Sequence, residues 1–75
     1  MSREKTYQIL VEIIEDRKIP AGTVRQWRSR PTGVSLPIRR DVEVCALRRQ
    51  IEPDGWVFDH LREAERLYKK KVPAA

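Results

Sequence analysis

Hydrophobic residues recur along this chain at helical spacing, and prolines and glycines divide them into four stretches. In the first, Tyr7, Leu10, Val11 and Ile14 fall at i, i+3, i+4 and i+7, with Ile9 and Ile13 widening the stripe, which predicts a helix over about 3–18. Glu4 near its start and Arg17 and Lys18 at its end suit the helix dipole. Pro20 breaks that helix and can occupy the first turn of a second, running from about 20 or 23 to 30. Pro31-Thr32-Gly33 stops it, because Pro31 disfavours α backbone at Arg30 and Gly33 can take positive φ.

A third helix is expected from the cap candidate Ser35 and first-turn Pro37 to about 51. It carries two stripes, one of Ile38, Val42, Cys45 and Ala46 and one of Val44, Leu47 and Ile51. A helix apolar on more than one side is expected to be the central, most buried one. Residues 52–55 form a turn with Asp54 as N-cap. The last helix is expected over about 55–71, with Val57, Leu61, Ala64 and Tyr68 on one face, Trp56 and Phe58 at its start, and Glu65 and Lys69 as an i, i+4 pair. Alternating strand patterns are absent. The expectation is an all-α fold, a compact bundle of about four helices in one domain over 1–75, with a basic tail from about 69.

Composition narrows the function classes. Seventy-five residues, 40% hydrophobic and with five aromatics, allow one small core. A single cysteine excludes an intramolecular disulfide, and no apolar run approaches the ~20 residues that span a bilayer. The N-terminal segment lacks the form of a signal peptide, so a cytoplasmic protein is expected. One cysteine and one histidine match no metal pattern, and there is no glycine-rich phosphate loop or nucleophile–base pairing. No enzyme activity, cofactor, metal or small-molecule ligand is expected. Cys45 on its apolar face reads as buried and inert, His60 as exposed.

Charge is distributed unevenly. Between Arg17 and Arg40 lie seven basic residues (Arg17, Lys18, Arg25, Arg28, Arg30, Arg39, Arg40) and no acid, whereas the rest of the chain has nine bases against eleven acids. A localised basic segment on a small domain points to a phosphate-backbone partner, double-stranded DNA above all. At ~100° per residue, Val24 and Trp27 define the buried direction of the second helix, and Gly22, Arg25, Gln26 and Ser29 point away from it. Outward Arg and Gln can make bidentate contacts to guanine and adenine in the major groove. These four are the expected base contacts. Lys18, Thr23, Arg28, Arg30, Thr32, Arg39 and Arg40 are the expected phosphate contacts, which fix register without reading sequence.

The stretch Thr-Val-Arg-Gln-Trp-Arg-Ser-Arg (23–30) resembles the recognition helix of lambda-repressor-like, Cro-like and YdaS-type phage and bacterial regulators, and Gly-Val-Ser-Leu-Pro-Ile (33–38) is similar to their connection to the next helix. The resemblance covers about 8–47. Ile14 and Lys18 stand where that family has a small residue and a glycine, and the glycine here comes later, at Gly22. The resemblance implies a helix-turn-helix held by Ile13, Ile19, Val24 and Trp27. It further implies a sequence-specific, nucleoid-associated regulator, a repressor, bound as a homodimer to an inverted-repeat operator. An excisionase-like architectural protein is a second reading of Thr-Val-Arg-Gln-Trp, and a protein–protein adaptor with a basic docking patch is a third. The dimer surface is expected on the last helix, through Trp56, Phe58, Leu61 and Tyr68, because it is farthest in sequence from the basic segment.

Overall fold

A computed structural model describes residues 2–30 and 33–71. They form five helices in chain order: α1 (Ser2–Asp16), α2 (Ala21–Ser29), α3 (Leu36–Arg48), α4 (Trp56–Asp59) and α5 (Leu61–Lys71), with no strand among the described residues.

The central helix is α1, not the third. It packs on α3, α4 and α5, and its Ile9 and Leu10 are each 1% exposed. Tyr7 and Ile13 are buried beside them, while Val11 and Ile14 of the expected stripe are half-buried. α3 lies at the edge, where Ile38, Val42 and Ala46 face the core. Of its second apolar stripe only Ile51, beyond the helix end, packs against the core. Val44 and Leu47 are exposed, and Leu36 joins them.

Both long N-terminal elements end earlier than expected, and by the same device. After α1, Lys18 adopts φ 52°, Ile19 N–H donates to Ile14 O at 3.0 Å and Lys18 N–H to Glu15 O at 3.3 Å. After α3, Gln50 adopts φ 59°, Ile51 N–H donates to Ala46 O at 2.8 Å and Gln50 N–H to Leu47 O at 3.0 Å. This paired 6→1 and 5→2 bonding caps a helix C-terminus through a left-handed residue. It stops α1 at Asp16, well before Pro20, and turns Ile19 and Ile51 back onto the core. Gly33 does not take positive φ. Space is the reason for glycine there, since a Cβ would lie 2.9 Å from Trp27 Cα.

The expected last helix is two helices. His60, at φ −133° and ψ 53°, interrupts it, and its carbonyl accepts the Ala64 N–H. On α4, Val57 is 0% and Phe58 2% exposed. Asp54 starts α4, its Oδ1 accepting the Trp56 N–H at 3.0 Å. Its own N–H donates to the fully buried Thr6 hydroxyl, and Arg3 Nε donates to its Oδ2 at 3.2 Å, tying this turn to α1.

Candidate nucleic-acid interface

α2 is nine residues long and backed by one large side chain. Trp27 is 7% exposed, and Val24 packs half-buried against the same core. The remaining faces follow from helical geometry. Gly22, Arg25, Gln26, Arg28, Ser29 and Arg30 are exposed and Thr23 is half-buried. Nothing stands within 4 Å of where a Gly22 Cβ would be, so the outward face is open at its N-terminal end. The Ser29 hydroxyl donates to Arg25 O at 3.2 Å, which leaves its oxygen as an acceptor. Arg25 and Gln26 carry no side-chain hydrogen bond or ion pair among the described residues, so their donors are free for a ligand.

The basic segment is less uniform in space than in sequence. Arg17 pairs with Asp41 across α1 and α3. Arg28 Nη2 lies 2.9 Å from Glu65 Oε2 on α5. Arg39 turns inward, donating from Nε to Val34 O at 3.0 Å, with its guanidinium 5.3 Å from the Phe58 ring centre and 3.7 Å from Asp59. An arginine held in that way braces the start of α3. Lys18, Arg25, Arg30 and Arg40 are exposed and without ion partners among the described residues. Thr32 lies outside the described residues.

In compensation, α5 joins the surface. α2 packs on α5, and between them opens a shallow groove of about 390 Å³ lined by Arg28, Arg62, Glu65, Arg66 and Lys69. Four cations surround one carboxylate there. Arg62, Arg66 and Lys69 fall at i, i+4 and i+7, opposite the Leu61–Ala64 face, and that spacing was the available signal. The helix farthest in sequence from the basic segment is thus beside it in space.

The same packing engages the expected dimer residues within the chain. Phe58 and Leu61 are 2% and 5% exposed and belong to the core. Tyr68 stacks at a tilt on Tyr7, with ring centres 5.2 Å apart. Trp56 is half-buried between in-chain partners, with Arg3 4.0 Å above its ring and His60 stacked 4.7 Å away.

Tyr7 sits where α1, α2 and α5 converge. Burial pushes its hydroxyl above the ordinary pKa of 10.0, the Glu65 carboxylate adds to that, and the Arg28 guanidinium beside it opposes it. A second groove of about 300 Å³ runs between α1 and α3, lined by Ile9, Glu12, Ile13, Asp16, Cys45 and Arg49. Cys45 is half-buried there, less enclosed than its stripe implied. Glu12 Oε2 is closed off from solvent and meets Arg49 Nη1 at 2.7 Å.

Among the described residues no helix is long and apolar enough to cross a membrane. Comparison with protein-family models, with curated proteins and with solved structures finds no match to this chain.

Proposed function

We propose that this chain is a sequence-specific double-stranded DNA-binding regulator, a repressor in type, that inserts α2 into the major groove. One observation carries the reading. The face of α2 opposite Trp27 offers Gly22, Arg25, Gln26 and Ser29 to solvent, with Arg25 and Gln26 unengaged. An α-helix fits the major groove of B-DNA, and Arg and Gln there can pair bidentately with guanine and adenine. Lys18 and Arg30 stand at the two ends of α2 for phosphates, and Arg62 and Arg66 extend the positive surface onto α5. In this reading α1, the turn at 17–20 and α2 act as the helix-turn-helix, braced by α5. Two copies on an inverted repeat double the base contacts, as one short helix reads few bases.

Selection of bound sites from random duplexes tests it. The expected result is an enriched palindrome whose half-sites lie about 34–36 Å apart. Recovery of no motif, with retention competed equally well by an acidic protein and by bulk duplex, would sink the DNA reading and favour a docking adaptor.

A further inference from the structure

The edge position of α3 leaves one side of it uncovered. At ~100° per residue from the buried Val42, four residues fall together on the outward side: Leu36, Arg40, Glu43 and Leu47. Leu36 is 59% and Leu47 67% exposed. Their spacing of i, i+4, i+7 and i+11 is that of a two-helix seam. Of the other charged residues nearby, Arg39 is engaged with Val34 O and Asp59, Asp41 with Arg17 and Arg49 with Glu12, while Arg48 lies on a different side of α3. Arg40 and Glu43, in the middle of the stripe, have no ion partner among the described residues.

The stripe is complementary to itself in one orientation. A second α3 laid antiparallel, with a two-fold axis passing between 41 and 42, sets Leu36 against the partner's Leu47 and Arg40 against the partner's Glu43. By symmetry each pairing occurs twice. A parallel arrangement would instead oppose Arg40 to Arg40 and Glu43 to Glu43, and like charges across a seam disfavour it. We propose that two copies of this chain associate through α3 in the antiparallel arrangement, with leucine pairs at the ends and crossed Arg40–Glu43 pairs at the centre. This places the dimer surface on the third helix rather than the last and does not depend on DNA binding. A single helix face is small beside the ~1,200–2,000 Å² of stable interfaces, so the dimer forms reversibly with concentration.

Sedimentation of the free protein from about 5 to about 500 µM, with helicity and Tm followed on each variant, tests the proposal. The native chain is expected to pass from monomer to dimer in that range. Arg40→Glu or Glu43→Arg alone brings like charges together at both central pairs and should weaken the dimer roughly tenfold. The double variant Arg40→Glu/Glu43→Arg restores the opposition and should return to within about threefold of the native chain. A native monomer throughout the range, or a folded double variant as weak as either single one, overturns the proposal. A dimer that ignores duplex DNA leaves this inference standing and sinks the DNA reading; a monomer that binds duplex does the reverse.

Discussion

Arg28 Nη2 lies 2.9 Å from one oxygen of Glu65, and Lys69 Nζ lies 2.9 Å from the other. The carboxylate is only 18% exposed, so one acid holds two cations and couples α2 to α5. It also neutralises part of the surface that would face phosphate. Glu65→Gln should therefore act in two directions. It should lower stability by about 1 kcal/mol through the lost pairs, and it should steepen the salt dependence of duplex binding by about one phosphate equivalent. Denaturant melts and binding isotherms at several salt concentrations read the two effects separately. A slope that does not steepen would place Arg28 and Lys69 away from the DNA.

The raised Tyr7 hydroxyl predicts an alkaline limit. A folded-state pKa above the unfolded one means that the native state holds this proton more tightly. The associated stability is fully present below about pH 10 and is lost as pH rises through the folded value. Melts of the native chain and of Tyr7→Phe should diverge least near neutrality. Above about pH 10 the native chain should lose stability faster than the variant. Parallel curves would show that the hydroxyl is not the group responsible.

Base readout is predicted at Arg25. Arg25→Ala should cost about 1–3 kcal/mol on the selected site and relax discrimination at one position. Arg30→Ala, at the helix end, should weaken selected and random duplexes alike. Equal losses on both duplexes for Arg25→Ala would reassign it to the backbone.

Trp27 and Gly33 form one structural unit. Trp27→Ala should destabilise the fold by roughly 3–5 kcal/mol, a large share of the about 5–15 kcal/mol expected for a small domain. Gly33→Ala forces a methyl to 2.9 Å from Trp27 Cα, a backbone atom that cannot rotate aside. It should cost roughly 1–3 kcal/mol, as overpacking does. Chemical denaturation measures both, and a neutral Gly33→Ala would mean that the Gly33 backbone can move off Trp27.

The left-handed Gln50 is a site of stored conformational cost. Gln50→Gly should be neutral or gain up to about 1 kcal/mol, because glycine accepts positive φ without the Cβ penalty. Thermal melts compare the two. A clear loss of stability would show that the Gln50 side chain makes a contact outweighing its backbone strain.

What could be read from the chain depended on how local its cause was. The helical class, the Pro20–Gly33 division and the face of α2 followed from period and punctuation, which act within a few residues. No glycine marks the two C-terminal caps, since Lys18 and Gln50 hold the left-handed positions; their signal lies in Ile19 and Ile51, apolar residues placed to fold back. The break at His60 leaves no trace in the period, because the stripe through Val57, Phe58, Leu61 and Ala64 is equally consistent with one straight helix. Glu65 holding Arg28, and Asp59 beside Arg39, are pairings between distant segments that no periodicity encodes. Val44 and Leu47 of the second α3 stripe are apolar and yet exposed, because apolarity alone does not say whether the covering surface belongs to the same chain.

The position of α1 has a consequence for how this chain comes to be folded. Its partners are supplied by α3, α4 and α5, all later in the sequence, while α2, its immediate neighbour, leans on α5. A nascent chain that has emerged only through α2 has nothing on which to bury Ile9 and Leu10. An isolated 15-residue helix is marginal in water, so α1 is expected to gain its stability from the later helices it packs against. Shortening the chain from its C-terminal side before Tyr68 should therefore abolish the whole fold rather than trim it, which circular dichroism of the truncated chain would read.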